Sequence, residues 1–580
     1  MSEPSSSNPP PAEEPSASSE APAGESKKGA KKAAAKAKKE AEKAKRAAER
    51  EAQLAAQKAA AVAGEDDNAK HNYGEWTPHT HVDHKRLHVR DTTAADEGKV
   101  IKVRAWVQNS RMQGAKMCFL ELREERNWTI QAIVAATNPE EKEDPVSKQM
   151  VKWVGAIRPE SFVLVEAVVA KPLDPVKSCK VSDAELHLRK VYTIASGPEA
   201  LVLQLGVANK PVTKLDEEDT AEETAKAVEA LSVSDAAASA APAASLATHL
   251  NNPVMHKRAP IQQAIADVRM AVRKLFSEYL DDRRFVQFEA PCLIGAASEG
   301  GANVFQLPYF EKSACLAQSP QFYKQIEIAG GRKRVYCIGP VFRAENSNTP
   351  RHMTEFTGLD LEMEIEDHYH EVRNMLEGVL LHIFRGLKDR CAEQIELVRS
   401  VYPCEEFMVP AHGKEVRLTF AEGQKLLREE GPEEFKDVLD DEDMSTPQEK
   451  ALGALVRKKY GVDFYVLDKF PESARPFYTI EDPHNPKVTN AYDFFMRGQE
   501  ILSGGQRIHV PELLEARLRK KGIDPASPGI KEYVDVFRSA GVPPHGGGGI
   551  GLDRVVAWYL NLPSVHLASY YPRTPKRLLP

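Results

Sequence analysis

Val341-Phe-Arg-Ala-Glu-Asn-Ser-Asn-Thr-Pro-Arg-His-Met-Thr-Glu-Phe-Thr-Gly-Leu-Asp360 is the most informative stretch of the 580-residue chain. Two short hydrophobic runs flank a polar loop carrying Arg343, Glu345, Arg351, His352 and Glu355, and Phe356 opens the returning strand. A generic hairpin would carry its charges at a solvated tip. Here they stand at both ends of the loop and beside an aromatic ring, where a nucleotide can stack and its phosphates be neutralised.

Upstream, Gln318-Ser-Pro-Gln-Phe-Tyr-Lys324 places an amide, a ring and an ammonium within seven residues. Ser298-Glu-Gly-Gly-Ala302 reads either as a small loop that closes over a substrate or as a plain turn. Before it, Ile261, Ile265, Val268, Val272, Leu275, Phe276 and Tyr279 recur at helical spacing, and the strand Phe285–Ala290 ends at Pro291. Downstream, Glu500-Ile-Leu-Ser-Gly-Gly-Gln-Arg507 lets Glu500, Ser503 and Arg507 reach one cleft. Gly546-Gly-Gly-Gly-Ile-Gly-Leu-Asp-Arg554 leads into the apolar run Val555–Leu560 and predicts a loop-to-helix transition at which backbone approaches a ligand. No Lys-Ser/Thr follows the glycines, so this is not a Walker loop, and it does not match GxGxxG after a strand.

Residues 99–196 read as short strands. Ile101, Val103, Ala105 and Val107 alternate with Lys102, Arg104 and Gln108, and Met117–Arg123, Thr129–Val134, Phe162–Val169 and Ala184–Ile194 supply four more runs. Five strands in so short a span suit a small closed barrel of the oligonucleotide-binding type. Arg111, Phe119 and Gln131 offer a cation, a ring and an amide, the groups that bind single-stranded nucleic acid, although Phe119 reads equally well as core.

The net charge of −7 conceals an asymmetry. Lys27 to Arg50 holds eleven Lys/Arg against Glu40, Glu42 and Glu49, a local +8, so the rest carries −15. This Ala/Lys-rich stretch reads as a solvated helix, a disordered tail or a polybasic arm with salt-sensitive affinity for phosphate backbones. Asp216–Leu246 is acidic, then Ala/Ser-rich, and reads as a linker. The expected organisation is a Lys/Ala-rich extension over 1–70, a barrel domain over 85–205, a linker over 206–250 and a large domain over 251–580. Within the last, the insertion 393–460 reads as a surface subdomain or a contact for a nucleic-acid partner. The seven cysteines are odd in number and none is spaced CxxC, which excludes disulfide scaffolds and zinc ribbons. No apolar run approaches the roughly 20 residues of a membrane span, and Met1–Glu14 fits no targeting signal. The cytosol is the default expectation.

Taken in order, these segments resemble the eukaryotic cytosolic aspartyl-tRNA synthetases, those of fungi foremost, within class II (subclass b) of the aminoacyl-tRNA synthetases. The helix and strand ending at Pro291 match motif 1, Phe342-Arg-Ala-Glu…Arg-His…Glu-Phe matches motif 2, Gly549-Ile-Gly-Leu-Asp-Arg554 matches motif 3, and Tyr571-Pro-Arg-Thr-Pro-Lys-Arg577 resembles the family's tail. The resemblance implies an α+β fold, with a five-stranded OB-fold barrel and a catalytic six-stranded antiparallel sheet flanked by helices. It also implies a homodimer with Pro291 at its interface, and attachment of L-aspartate to tRNA(Asp) using ATP and Mg2+.

The same resemblance assigns the residues. Arg343, Glu345, Arg351, His352, Met353, Phe356, Glu500, Gly551, Leu552, Asp553 and Arg554 are implied for ATP, with Phe356 under the adenine and Arg554 on its other face. Arg343, Arg554 and Glu500 are the catalytic set, and Glu500 with Ser503 is implied for magnesium. Ser298, Glu299, Gln321, Lys324, Arg343, Asp360, Ser503 and Arg507 are implied for aspartate, and Arg111, Phe119, Gln131 and Glu185 for the anticodon. Lys324 argues for a carboxylate over an amide substrate, because an amide would leave a buried cation unpaired. The competing readings are an asparagine-specific sister enzyme and a non-catalytic RNA-binding protein that keeps the fold.

Overall fold

The alternating runs of the N-terminal region form a closed barrel. The computed structural model describes residues 67–80, 82, 84–138, 144–215, 243–296, 304–347 and 349–579, so the basic arm, most of the 206–250 linker and the loop bearing Ser298 and Glu299 lie outside the described residues. The chain divides into two units, one ending at Pro198 and the other beginning at Glu199. In the first, β1 (Tyr73–Glu75), β2 (Val100–Met112), β3 (Met117–Arg123), β4 (Thr129–Ala135), β5 (Phe162–Ala170) and β6 (Val181–Ala195) make one sheet. β2, β3 and β4 pair antiparallel, β4 runs parallel to β6, and β6 returns through β5 to β2, which closes five strands on themselves. Val103, Ala105, Val107, Leu120, Leu122, Val163 and Val165 fill the interior. Helix α1 (Lys148–Gly155) adds Met150, Val151 and Val154 to that core, and its Ser147 cap accepts from Met150 N at 3.0 Å.

In the second unit a single helical turn, Leu205–Ala208, precedes helices α2 (Leu246–Asn251), α3 (Pro253–Arg258) and α4 (Pro260–Asp281). Proline at the first helical position of α4 costs no hydrogen bond there, and the predicted stripe from Ile261 to Phe276 is buried. Then come β7 (Val286–Gln287), α5 (Gln321–Ala329), β8 (Arg334–Phe342), β9 (Glu355–Glu364), α6 (His370–Arg390), β10 (Arg417–Thr419), α7 (Phe420–Glu430), α8 (Thr446–Tyr460), β11 (Phe464–Asp468), β12 (Ala491–Met496), β13 (Gln499–Gln506), β14 (His545–Gly551) and α9 (Leu552–Tyr559). The sheet order is β10-β11-β12-β13-β14-β9-β8-β7. The six inner strands are antiparallel, as the resemblance implies, and a short parallel strand is added at each edge. Leu203 and Val207 pack in this unit's core, although 85–205 was expected to end with the barrel.

The glycine run departs from expectation. His545–Gly551 is a strand between β13 and β9, not a loop. A Cβ at Gly547 would lie 2.1 Å from Leu361 O and Glu362 Oε2, and one at Gly504 would lie 2.5 Å from Gly547 O. The strands approach where buried side chains already fill the space, so only glycine fits. Among the described residues no helix is long and apolar enough to cross a membrane.

Candidate active site

Glycine strands leave room above the sheet. A cavity of about 400 Å³ opens over β9, β13 and β14, walled by the loop between β8 and β9 and by Ala474–Thr479. Gln321, Lys324, Arg343, Glu345, Arg351, His352, Met353, Phe356, Asp360, Glu500, Ser503, Arg507, Gly551 and Arg554 all line it. The structure thus gathers in one cavity residues that lie more than two hundred positions apart in sequence.

At its floor, Lys324 from α5 is 2 % exposed, with Nζ 3.0 Å from Asp360 Oδ1 and 3.4 Å from Glu362 Oε2. Arg507 reaches the same carboxylate, Nε to Oε1 at 2.9 Å and Nη2 to Oε2 at 3.3 Å, while its Nη1 has no hydrogen-bond partner among the described residues. Burial pushes the Glu362 carboxyl up, but Arg507 and Lys324 outweigh it and hold the group below the usual carboxylate range. Gln321 Nε2 donates to Gln325 Oε1 at 2.8 Å, and Gln325 Nε2 meets His545 Nε2 at 2.8 Å, a buried relay that fixes α5 against β14. His545 Nδ1 faces Pro543 O at 2.8 Å, and burial lowers its pKa, so Nδ1 carries the proton and Nε2 accepts.

At the other end the cations gather. The Arg343 guanidinium lies 5.6 Å from the Phe356 ring centre. Arg554 is turned to β13 instead, with Nη1 donating to Glu500 O at 3.1 Å and standing 3.7 Å from Glu500 Oε1. Arg351 is held by α8, Nη1 to Thr446 Oγ1 at 2.5 Å and Nη2 to Glu449 Oε2 at 3.1 Å. His352 contacts Thr349 Oγ1 at 2.7 Å, and burial, then Arg554, lower its pKa so that it stays neutral.

Glu500 and Ser503 are three apart, which in a regular strand puts them on opposite faces. The β12–β13 register shifts between Phe494 and Phe495, and this bulge brings both to the cavity. Asp493 sits opposite Ser503, and Arg475 donates from Nη1 to Ser503 Oγ at 2.8 Å and from Nη2 to Asp493 Oδ2 at 2.6 Å. Burial pushes the Asp493 carboxyl up to about 6, against the pull of Arg475 and with Glu500 adding to the rise. Its Oδ1 is buried and accepts no hydrogen bond among the described residues. An orphaned carboxylate oxygen beside Glu500 and Ser503 is a hard-oxygen donor set of the kind that suits magnesium, which keeps most of its shell for water and phosphate.

Not every expected residue offers its side chain to the cavity. Leu552 is 2 % exposed and belongs to the hydrophobic core, so its side chain does not line the cavity. Asp553 lines the cavity but has both oxygens engaged, Oδ1 accepting from Arg269 Nη1 at 2.5 Å and Oδ2 from Thr357 N at 3.1 Å, so it fastens α4 and β9 to the start of α9. Pro291, expected at a dimer interface and not in the cavity, is exposed. Glu362, Asp493, Arg475 and Glu449 were missed. Glu362 had a readable signal, since Asp360 and Glu362 alternate with Leu359, Leu361 and Met363 along one strand. Asp493 is a lone carboxylate in the apolar run Ala491–Met496. Nothing in the local sequence marks Arg475 or Glu449.

On the barrel, Phe119 is half-buried between the inward Cys118 and Leu120, so it faces out and is not core. Arg111 pairs with it across β2 and β3, its guanidinium 5.6 Å from the ring. Gln131 Nε2 donates to Glu185 Oε2 at 2.8 Å, and His187 Nε2 meets Glu185 Oε1 at 2.9 Å. Those four expected residues thus form two adjoining pairs, a cation with a ring and an amide with a carboxylate.

Comparison with known proteins sets these sites in a family. Residues 245–575 match the model for class II tRNA synthetases (D, K and N). A cytoplasmic aspartate–tRNA ligase of Rattus norvegicus is 44 % identical over 524 residues, 90 % of this chain and 97 % of that one. The solved aspartyl-tRNA synthetase of Entamoeba histolytica superposes with a TM-score of 0.74 at 34 % identity, covering 89 % of this chain and 97 % of that one. An asparaginyl-tRNA synthetase from Pyrococcus horikoshii, solved with asparaginyl-adenylate, gives a TM-score of 0.67 at 26 % identity over 86 % of this chain and all of the other.

Proposed function

Because the chain belongs to the class II tRNA synthetases of the D, K and N group, we infer that it attaches L-aspartate to tRNA(Asp) with ATP as the energy source. An oxygen of the aspartate α-carboxylate attacks the α-phosphorus of ATP, the bond to the leaving pyrophosphate breaks, and aspartyl-adenylate forms. A ribose hydroxyl of the tRNA's terminal adenosine then attacks the aspartyl carbonyl carbon and AMP leaves. The relatives named cytoplasmic support the same compartment here.

Activation needs no general base, because the nucleophile is already an anion. The work is to bring two anions together and to neutralise charge on phosphate oxygens, which placed cations do in a site shielded from water. Arg343 bridges the α-phosphate and the substrate α-carboxylate, and Phe356, with an arginine already over it, supplies the adenine shelf. Arg351, His352 and Arg554 face the outer phosphates. Magnesium would be held by Glu500 with Asp493 and Ser503, and when bound it supplies further charge neutralisation there. Glu345 and Met353 complete the nucleotide wall.

The observation that carries aspartate is the floor of the cavity. Lys324 and Arg507 are both buried, Glu362 and Asp360 balance them, and Arg507 Nη1 is left over to receive a β-carboxylate. An amide oxygen would accept from that donor but bring no negative charge to pair with it. ATP–pyrophosphate exchange run separately with L-aspartate and L-asparagine, then repeated with Lys324→Ala, tests this reading. Exchange that requires aspartate and collapses in the variant supports it. Exchange with asparagine moves the assignment to the sister enzyme, and none with either leaves an RNA-binding protein.

Pairing into a homodimer is supported by the exposed apolar side chains Val286 and Leu293, which flank Pro291 in the sequence, and by Met270, Tyr309 and Phe310, the last 90 % exposed. Val286→Glu combined with Leu293→Glu should convert the protein to monomer in sedimentation. The basic arm is read as a source of unspecific tRNA affinity. Removing residues 1–66 should flatten the salt dependence of tRNA binding and leave pyrophosphate exchange intact, and an unchanged slope would remove the arm from this role.

A further inference from the structure

We propose that Glu449, on helix α8 of the insertion, is a positioning residue that presets Arg351 for the outer phosphates of ATP. This rests on the reading of Arg351 given above. Among the described residues of the loop between β8 and β9 that carries Arg351 there is no helix or strand, so the side chain is not held by neighbours of its own element. Its fixation comes from α8 instead. Nη1 donates to Thr446 Oγ1 at 2.5 Å and Nη2 to Glu449 Oε2 at 3.1 Å, from the first turn of that helix, while Nε has no partner among the described residues. The two side chains are only 14 % and 12 % exposed, so this is not a pair of mobile surface charges.

The helix that presents Glu449 is itself tightly indexed to the metal-side strand. A Cβ at Gly453 would lie 2.3 Å from Gly498 Cα, and one at Gly498 would lie 2.8 Å from Glu449 O and from Lys450 Cα. Gly498 is the turn between β12 and β13 and takes φ +69°, a conformation glycine adopts freely. Glu500 stands two residues further on, with Arg554 3.7 Å from it. Backbone contact between α8 and this turn therefore fixes the distance from Glu449 to Glu500 and Arg554. Arg351 is thereby fixed to the same frame, although its own loop is not. A long cation held in place before the nucleotide arrives loses less freedom on binding, which lowers the cost of the encounter.

The carboxylate is also held at some expense. Burial pushes Glu449 up to about 7, Glu500 adds to the rise and Arg351 and Arg554 oppose it. A group whose only gain was surface solubility would not sit there.

The test is aspartate-dependent pyrophosphate exchange with Glu449→Ala, Glu449→Gln, Arg351→Ala and the double variant Glu449→Ala/Arg351→Ala. Glu449→Ala should raise the KM for ATP about tenfold, the coupling expected of groups in direct contact, and leave the KM for aspartate within about twofold. Glu449→Gln keeps an acceptor oxygen and should recover most of the affinity. In the Arg351→Ala background, Glu449→Ala should have no further effect. Additive effects of the two single changes, or an equal rise in both KM values, would overturn the proposal. Should Arg351→Ala leave the KM for ATP unchanged, the assignment of Arg351 falls first. If Glu449→Ala does not fold, the Gln variant and the Arg351→Ala background still decide, because a merely structural glutamate would lower stability without moving the KM for ATP alone.

Discussion

Lys324 and Arg507 meet on a single carboxylate, Glu362, although one comes from α5 and the other directly follows β13. Glu362 is fully buried and is the carboxylate the two cations share, with Asp360 as a second partner of Lys324 alone. Glu362→Ala should therefore destabilise the protein by about 3–5 kcal/mol, the cost of leaving buried charge without its partner. Glu362→Gln should cost less. Denaturant unfolding reads both, and a loss under about 1 kcal/mol for the alanine variant would contradict the account.

Gly547 offers a steric test of the central strand. Its Cβ would lie 2.1 Å from a carbonyl of β9 and from the Glu362 carboxylate. Gly547→Ala should cost about 1–3 kcal/mol by overpacking and, by displacing Glu362, reduce aspartate-dependent exchange. Thermal unfolding together with the KM for aspartate checks the pair of effects, and a variant of unchanged stability would show that the strands can part.

Two helices of the second unit hold a buried histidine pair. His249 Nδ1 and His256 Nδ1 are 3.1 Å apart, and burial lowers them to about 4 and about 3 respectively. Both are neutral when folded, so below their ordinary value near 6.5 the unfolded chain takes up protons that the folded one refuses. Their stabilisation is complete above pH 6.5 and declines as pH falls toward 4, on the order of 3 kcal/mol for His249 alone. Glu449 and Asp493, both raised, act in the opposite direction over the same range. The difference between wild type and His249→Leu in unfolding midpoint from pH 7.5 to 5 isolates the histidine: the variant should lose less, and identical slopes would exclude the pair.

On the barrel, Phe119→Ala should weaken tRNA binding by the roughly 1–3 kcal/mol of one stacked base while sparing pyrophosphate exchange. Filter binding measured beside exchange separates the two, and equal losses in both would place Phe119 in the fold and not in recognition.

How much of this was readable depends on where side chains carry the pattern. The barrel strands were legible because Ile101, Val103, Ala105 and Val107 point inward at every second residue. The strand His545–Gly551 was not, since a run of glycines has no alternation and differs from a loop only through the neighbours that crowd it. The cavity residues from Gln321 to Arg554 were legible through family resemblance, yet Arg475 and Glu449 act across folds of the chain that no local spacing encodes. The bulge that brings Glu500 round to Ser503 is likewise a property of two strands together.

The strand that joins the halves of the catalytic sheet is also the last to be synthesised. β9 ends at Glu364 and its partner begins at His545, so at ~5–20 residues per second a ribosome holds that edge open for roughly 10–40 s. The edge of β13 waits as well, for a shorter time. During that interval the nascent chain presents two rows of unpaired backbone groups, the arrangement most prone to join a neighbouring polypeptide on the same message. Ribosome stalling or premature termination before His545 should therefore leave an aggregating product and not a partly active one, and chaperone engagement should be heaviest while residues 365–545 are being made.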